Sequence, residues 1–158
     1  MILTGTVNKT LDVWSFGCLI FELITGRPLF GVFSRWYADD DLLSLTARLG
    51  PLPDELFKHW KTSSLYFTPE RKLFNCQLWG VAEGKEPLML EQTSMEGEFD
   101  QAGPNLDEEE ARKVKALIRW ILQYDPAKRP SAAEILLDPW FCEFEAHPST
   151  GRVPASIE

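Results

Sequence analysis

The sequence predicts an all-α fold, a helical bundle around one buried central helix. The first observation is the stretch 11–24, LDVWSFGCLIFELI, which is apolar along almost its whole length. A buried strand would be shorter and richer in β-branched residues, so the pattern favours a helix. The second observation is a pair of helix-start signatures, at Asp107 and at Ser131, each with a glutamate three residues later. Both signatures indicate further helices late in the chain.

The central helix is predicted over residues 11–24, with Thr10 as its cap. Gly26 can supply a left-handed end, and Pro28 cannot continue a helix. Only three positions in the stretch are strongly polar, so we expect the helix to be packed on most sides. Gly17 costs up to ~1 kcal/mol relative to alanine in mid-helix. The compensation we expect is close approach by another backbone.

The next segments predict shorter elements. An aromatic loop, 28–37, is expected to fold over the core, and the aspartates 39–41 open a second helix that ends at Gly50-Pro51. A third short helix is predicted over 53–61, with Pro53 at its first position. Residues 65–67 and 72–74 flank a turn and form a possible, marginal hairpin.

The second half is predicted to hold a long surface insert and two further helices. Residues 75–106 contain many Gly and Pro and predict an irregular insert, held to the body by Trp79. The helix opened by Asp107 should bury one stripe, and the helix opened by Ser131 should run through Leu137, with 140–141 packing back. The predicted buried stripe consists of Val114, Leu117, Ile118, Ile121 and Leu122.

Composition limits the class of protein. The chain has 158 residues, 44% of them hydrophobic and 12% aromatic, which indicates one globular domain. A net charge of −8 argues against nucleic acid as a partner, because phosphate binding needs a basic surface. It suits a basic peptide or protein, although plain solubility explains the same charge.

Cysteine and histidine usage indicates an intracellular protein without a metal site. Cys18, Cys76 and Cys142 are widely spaced, which predicts reduced thiols rather than a disulfide framework or a zinc site. His59 and His147 lack metal-ligand neighbours. No signal peptide is expected, and the central helix is too short to span a bilayer. We therefore expect a cytoplasmic or nuclear protein that does not bind membranes.

Two separated motifs carry a family resemblance. Asp12-Val-Trp-Ser-Phe-Gly17, followed by Phe21-Glu-Leu23 and Gly26-Arg-Pro-Leu-Phe30, resembles the central helix of the C-terminal lobe of protein kinases. Asp125-Pro-Ala-Lys-Arg-Pro130, followed by Ala133-Glu-Ile-Leu136 and Pro139-Trp-Phe141, resembles the last kinase subdomain. The two motifs stand in the family's order and at plausible spacing.

The middle of the chain narrows the resemblance to the SR-protein kinases. It holds Tyr37-Ala-Asp-Asp-Asp41, a Leu-rich helix ending Leu49-Gly-Pro-Leu-Pro53, Tyr66-Phe67 and Leu78-Trp79-Gly80. The resemblance implies a partial kinase domain over 1–142, followed by a polar tail over 143–158. In the parent family the reaction is ATP- and Mg-dependent phosphorylation of serine in Arg/Ser-rich proteins.

The phosphate-handling motifs of that family do not occur in this sequence. Phosphoryl transfer needs a phosphate cradle, a lysine, a catalytic carboxylate and metal-binding Asp and Asn. No Gly-x-Gly is present, neither histidine precedes Arg-Asp, and Ser15-Phe16-Gly17 has serine where Asp-Phe-Gly has its metal ligand. Thr68-Pro69-Glu70 stands on the wrong side of the central helix for Ala-Pro-Glu. We expect no catalytic, cofactor-binding or metal-binding residue here, and an inactive fragment.

The residues that match the family are scaffold residues. The resemblance implies that Asp12 would hydrogen-bond the catalytic loop and that Arg129 would pair with the Ala-Pro-Glu glutamate. Both family partners are missing from the sequence, so a helix-start acid and a loop arginine are the simpler interpretations. Trp14 is expected in the core, and Gly17 at a helix contact.

A second interpretation is a non-catalytic module that docks a basic peptide or a kinase partner. The resemblance implies an acidic docking groove on the second helix, for which Asp39, Asp40 and Asp41 are the candidates. A charge-favoured helix start explains the same aspartates. The family's mid-helix glutamate falls on Ala47, which weakens the docking prediction. A remnant without function is the third interpretation, and an exposed apolar face of the central helix predicts self-association.

Overall fold

The structure, a computed structural model, describes residues 10–30 and 38–146. Within them the predicted all-α class is confirmed, and the sheet-like pairing between Phe67 and Leu73 is an isolated antiparallel bridge. Short 3-10 turns lie at Ser63–Leu65 and Pro126–Lys128. The α-helices of the described residues are α1 (Thr10–Thr25), α2 (Ala38–Leu49), α3 (Asp54–Phe57), α4 (Met95–Ala102), α5 (Glu108–Ile121), α6 (Ala132–Leu136) and α7 (Pro139–Ala146).

The main core forms where α1, α4 and α5 meet. Phe21 of α1 packs edge-to-face on Phe99 of α4, with ring centroids 6.0 Å apart. Helix α5 contributes the apolar stripe that its sequence predicts, and all five predicted residues are buried. The buried residues of this core are Ile20, Phe21, Leu29, Met95, Phe99, Val114, Leu117, Ile118, Ile121, Leu122 and Ile135.

A second, aromatic core lies under α2 and the segment 52–67. Tyr66 is fully buried and its ring lies 5.6 Å from that of Trp60. Phe67 packs edge-to-face against the same tryptophan at 5.5 Å. The buried members of this cluster are Leu42, Leu43, Leu52, Trp60 and Tyr66. The predicted hairpin is present here as one bridge, closed by a turn in which the Thr68 carbonyl accepts from the Arg71 amide at 2.8 Å.

The central helix differs from its prediction in two ways. Helix α1 begins at Thr10 itself rather than after it, and the packed positions gather on one side, where Gly17, Ile20 and Phe21 are buried. Leu19 and Leu23 are exposed on an adjoining side, and Phe16 beside them is partly covered by Phe141, with ring centroids 6.3 Å apart. The continuous apolar run therefore has a buried face and an open apolar face, a distinction that hydrophobicity alone does not make.

The segment 75–106 is more ordered than predicted. Helix α4 is capped by the Ser94 hydroxyl, which accepts from the Gly97 amide, and it ends at Gly103 in the left-handed conformation. Met95 and Phe99 are fully buried one turn apart, so α4 is a core element. Trp79, expected to hold the segment to the body, is instead 74% exposed.

Two predicted boundaries also differ. Helix α3 covers only Asp54–Phe57, with Pro53 before it rather than at its first position, because the chain turns into a 3-10 turn at Ser63. Pro139 starts α7, which runs on to Ala146, past the predicted tail boundary at 142. Both capping boxes are present, at Asp107 and Ser131. The aromatic loop beyond Phe30 and residues 147–158 lie outside the described residues.

Candidate functional site

The acidic start of α2 is the part of the candidate docking surface that the structure describes. Three consecutive aspartates occupy the first turn of α2, where the helix dipole favours negative charge. Leu42 and Leu43 directly after them are buried in the aromatic core, which fixes the first turn against the body. The orientation of each aspartate is therefore determined by the packing of α2.

Asp39 is engaged inside the protein. Its Oδ1 accepts hydrogen bonds from Trp60 Nε1 at 2.8 Å and from Thr62 Oγ1 at 2.7 Å. Its Oδ2 accepts from the Tyr66 hydroxyl at 2.8 Å. Burial, with the hydrogen bond to Asp39, raises the pKa of Tyr66 to about 12, so that its hydroxyl stays a donor. Asp39 thus ties α2 to the aromatic core, and its carboxylate is occupied.

Asp40 and Asp41 are placed differently from Asp39. Asp40 is half-buried, and Asp41 is exposed beside it. Partial burial and then the Asp40 charge raise the pKa of Asp41 above its usual range. A cation placed beside Asp41 would favour the charged form of its carboxylate. Of the three predicted docking residues, only Asp41 is exposed, and Asp40 is half-buried like Asp39.

The far end of α2 is held by two arginines. Arg48 forms an ion pair with Glu98 at 2.9 Å and donates to the Thr93 carbonyl at 2.6 Å. Arg119 of α5 donates to the Leu49 carbonyl at 3.1 Å and pairs with Glu96 of α4. The Arg48 that follows Ala47, where the resemblance expects a glutamate, is thus committed to α4 rather than to a basic ligand.

An open groove of about 500 Å³ lies at the edge of the aromatic core, between the end of α3 and the turn at 68–69. The groove is apolar with three hydroxyl groups, and its lining residues are uncharged. They are Phe57, Ser63, Ser64, Phe67, Thr68, Pro69 and Phe74.

The predicted scaffold residues come together at α1. The Arg129 guanidinium lies 4.6 Å from the centre of the Trp14 ring, and its Nε donates to the Gln123 carbonyl at 2.8 Å. Trp14 also stacks on Phe30, with centroids 6.3 Å apart. Burial lowers the pKa of Arg129 without removing its charge, because a guanidinium titrates far above neutrality. The arginine of the late motif therefore contacts the tryptophan of the early one.

Two further scaffold residues of α1 differ in burial: Gly17 is buried and Asp12 is exposed. Gly17 is buried against α5, so a Cβ there would lie 2.6 Å from Ile121 Cγ2. The close contact predicted for Gly17 is thus made with side chains of α5 rather than with a backbone. Asp12 is exposed in the first turn.

Sequence reasoning missed three partners of Asp39 and the arginine contacts of α4. Trp60, Thr62 and Tyr66 lie more than 20 residues from Asp39, and no local pattern connects them. The signal that could have found these contacts is the presence of Trp60 and Tyr66, because a buried tryptophan N–H or tyrosine O–H needs a hydrogen-bond acceptor. Within residues 10–30 and 38–146, no cluster of three His, Cys, Asp or Glu has metal-site geometry, and no helix is long and apolar enough to cross a membrane.

Comparison with known proteins gives one family match and a group of similar relatives. Residues 2–141 match the protein kinase domain. The chain is 29% identical over 90% of its length to serine/threonine-protein kinase SRPK of Physarum polycephalum, covering 32% of that protein. It is 29% identical to dual specificity protein kinase CLK2 of Homo sapiens, with 89% of the chain matched and 26% of that protein covered. Against serine/threonine-protein kinase SKY1 of Saccharomyces cerevisiae it is 29% identical over 82% of the chain and 16% of that protein. The chain spans about a third or less of the length of these relatives.

Proposed function

This chain belongs to the protein kinase family, since the family match covers residues 2–141, and from this premise we propose that it is the later part of the catalytic domain of an SR-protein-kinase-like serine/threonine kinase. The parent reaction is then ATP-dependent phosphorylation of serine in Arg/Ser-rich proteins. We place the protein in the cytoplasm or the nucleus, where such substrates and reduced thiols occur together.

The observation that carries this proposal is the contact between Trp14 and Arg129. The two kinase-like motifs lie at opposite ends of the chain, and their signature residues meet at 4.6 Å across α1. Gly17 adds the close approach of α1 to α5. A chance resemblance of two short motifs would not place their residues in contact. We assign the serine/threonine class because two of the similar relatives, SRPK and SKY1, are serine/threonine-protein kinases.

The share of this chain in the reaction is scaffolding and substrate contact, and we propose that it does not transfer phosphate by itself. Protein kinases use ATP and Mg, and their sites need a glycine-rich cradle and carboxylate or amide metal ligands. The residues of this chain do not fit ATP with Mg. The sequence contains no Gly-x-Gly or His-Arg-Asp, and the described residues hold no cluster of three potential metal ligands. No catalytic step is assigned to these residues.

A phosphate-transfer assay tests this proposal. The purified chain is incubated with Mg and radiolabelled ATP and an Arg-Ser repeat peptide, beside an SR-protein kinase as the positive control. We expect no incorporation above that of heat-denatured chain. Incorporation that scales with chain concentration, in a preparation free of other kinases by mass spectrometry, would contradict it.

The parent assignment is tested separately by the intact mass of the endogenous protein and the 5′ end of its transcript. A reading frame that continues upstream through His-Arg-Asp and Asp-Phe-Gly motifs supports the parent kinase. A transcript that begins at Met1, together with an intact mass equal to that of the 158-residue chain, would overturn the proposal that the chain is part of a longer active kinase. Binding would then be the remaining function.

We propose docking of basic peptides as a second candidate function, which is favoured by the exposure of Asp41 next to the half-buried Asp40. The pKa of Asp41 is raised first by partial burial and then by the Asp40 charge, and an arginine side chain placed beside Asp41 would stabilise its charged form. Asp39 is not a contact residue in this proposal, because its carboxylate already accepts hydrogen bonds from Trp60 and Tyr66. The net charge of −8 adds long-range attraction for a basic peptide.

Fluorescence anisotropy with a labelled Arg-Ser repeat peptide tests docking. We expect weak, salt-sensitive binding, and a roughly tenfold weaker Kd for Asp40→Asn/Asp41→Asn, because each exposed ion pair contributes about 0.2–1 kcal/mol. Asp39→Asn is the matched control: it lowers the melting temperature through the lost network, yet it retains peptide affinity below the melt. Absence of binding at high protein concentration, or unchanged affinity in the double variant, would overturn docking.

A further inference from the structure

The open groove at the edge of the aromatic core is lined mainly by aromatic rings. Phe57, Phe67 and Phe74 form its apolar walls, and Ser63 and Ser64 also line it. Its volume of about 500 Å³ lies within the usual range for a ligand pocket, so the groove is large enough for a bulky apolar side chain. None of the described residues that line it is acidic.

The segment that forms this groove is basic, although the chain as a whole is acidic. Residues 57–74 contain four basic residues and one acidic residue, whereas the whole chain contains 16 basic and 24 acidic residues. Lys61 and Lys72 are exposed, and neither forms an ion pair within the part of the chain that the structure describes. The Lys72 amide donates to the hydroxyl of Thr68, a lining residue, at 3.2 Å. Exposed charges more than about 8 Å apart are largely screened at physiological salt, so the local lysines outweigh the net charge of the chain near the groove.

Arg71 places a further positive charge on the wall of the groove. Its guanidinium lies 4.0 Å from the centre of the Phe57 ring, donates to the Leu52 carbonyl at 3.3 Å and pairs with Asp54. A guanidinium has five N–H donors, so these contacts leave donors for a carboxylate from a partner. The Arg71 side chain is 33% exposed, so the guanidinium is held in place and is still open to solvent.

The backbone of Arg71 indicates that this position is occupied by arginine for the sake of its side chain. Arg71 ends the turn that begins at Thr68, with a φ of 62°, in the left-handed region that favours glycine. A side chain larger than glycine is uncommon there, and backbone strain of this kind concentrates at binding and catalytic sites. The contacts of the guanidinium offset the strain and fix the charge beside the groove.

We infer that this groove docks an acidic peptide segment that carries an aromatic or large aliphatic side chain. The apolar side chain lies between the aromatic rings of the groove, and a neighbouring carboxylate pairs with Arg71. Lys61 and Lys72 attract further carboxylates at the rim. The same charges disfavour a basic peptide, which separates this surface from the acidic first turn of α2. The inference therefore does not rest on phosphate transfer or on the docking of Arg-Ser peptides.

Fluorescence anisotropy with the labelled peptide Asp-Asp-Phe-Leu-Glu-Glu tests the groove. We expect saturable binding that weakens as salt is added, and at least tenfold weaker binding of two matched peptides, because docking needs both an apolar and an anionic contact. One matched peptide has Ala-Ala in place of Phe-Leu, and the other has the four acids replaced by their amides. Equal affinity for the Ala-Ala peptide would reduce the interaction to general charge attraction and overturn the proposal, as would the absence of binding.

Arg71→Gly removes the guanidinium and keeps the turn, because glycine adopts the left-handed backbone freely. We expect a Kd for the acidic peptide that is about three- to tenfold weaker, since a partly buried arginine–carboxylate pair counts for more than an exposed one. The matched control is Arg112→Gln, which removes an exposed arginine from α5 and should leave the affinity unchanged. Unchanged affinity in Arg71→Gly would contradict the proposal.

Ser64→Trp is a second variant, which leaves every charge in place. Ser64 is exposed and lines the groove, so an indole at this position should fill the groove and abolish binding of the acidic peptide. Far-UV circular dichroism verifies that all variants are folded. Binding that persists in Ser64→Trp would place the peptide elsewhere and overturn the proposal. Self-association of the chain in sedimentation velocity that is lost in Ser64→Trp would assign the groove to a second copy and overturn it as well.

Discussion

Gly17 illustrates how one absent side chain sets the distance between two helices. A Cβ at this position would lie 2.6 Å from Ile121 Cγ2 and 3.0 Å from Leu122 Cδ2. Distances under 3 Å are not tolerated between carbon atoms without a shift of one partner. The cost of glycine in mid-helix, up to ~1 kcal/mol, is therefore offset by the packing of α1 on α5.

Gly17→Ala is expected to destabilise the protein by about 1–2 kcal/mol. The gain in helix propensity is up to ~1 kcal/mol, whereas overpacking a well-filled core costs about 1–3 kcal/mol. Urea denaturation gives the change in unfolding free energy. Ser15→Ala, at an exposed position two residues away, is the control and should stay within ~0.5 kcal/mol of the wild type. A Gly17→Ala protein as stable as the wild type would show that α5 can move away freely.

Asp39 shows where residue-scale prediction ends. Its helix-start position follows from sequence, since an acid in a first turn is favoured by the helix dipole. Its partners do not follow, because Trp60, Thr62 and Tyr66 approach it only once the aromatic core has formed. Three aspartates that are equivalent in sequence thus differ in the structure: Asp39 is hydrogen-bonded to the aromatic core, Asp40 is half-buried and Asp41 is exposed.

At the scale of elements, the helices with two independent signals were predicted well. Helix α5 has both a capping box and an apolar stripe at helical spacing, and its start and buried face are confirmed. Helix α4 has the weaker pattern: eight residues with an internal glycine and only the Met95–Phe99 pair on its apolar face. Its stability comes from tertiary burial of that pair, which local sequence does not reveal.

Asp107→Ala is expected to lower the free energy of unfolding by about 1 kcal/mol. The Asp107 carboxylate accepts from the Glu110 amide at 2.8 Å, and alanine leaves that amide without its cap. Asp107→Asn keeps an acceptor oxygen of similar capping strength, so it is the control and should be nearly neutral. Thermal and urea unfolding measure both variants. Equal losses for alanine and asparagine would mean that the charge, not the hydrogen bond, stabilises α5.

At the scale of the whole molecule, a set of polar contacts connects the two cores at the C-terminal end of α2. We call this set, made by Arg119, Glu96 and Tyr124, the polar joint. Helix α2 belongs to the aromatic core, yet its C-terminal end is held by Arg119 from α5, which also pairs with Glu96 of α4. Tyr124, just after α5, reaches the same end of α2 and lies 2.8 Å from the Gly50 carbonyl oxygen. Helix α2 is therefore positioned by contacts to both cores. Loss of the polar joint should shift the position of α2, and with it the aspartates of its first turn.

The joint makes stability depend on pH through Glu96. Partial burial raises the pKa of Glu96, but the hydrogen bond and charge of Arg119 outweigh it and hold the pKa below the usual value of 4.5. A carboxyl whose pKa is depressed by folding stabilises the protein above the unfolded-state pKa, and this contribution is lost as the pH falls from about 4.5 through the folded-state value. Because the pair is more than a third exposed, its share is below about 1 kcal/mol.

Glu96→Gln should therefore flatten the fall in unfolding free energy below about pH 4.5, as measured by urea denaturation at a series of pH values. Arg119→Gln should also reduce this fall, because it removes the hydrogen bond and the charge of Arg119 and leaves burial of Glu96 opposed only by the hydrogen bonds from the backbone and from Ser94. It should add a constant loss at every pH because Arg119 also donates to the Leu49 carbonyl. The double variant should match Glu96→Gln in its pH profile, since neither protein has a carboxyl at position 96. If Glu96→Gln keeps the acid slope of the wild type, the slope belongs to another carboxyl, and Glu134, whose pKa is lowered by its hydrogen bonds with Ser131, is the next to replace.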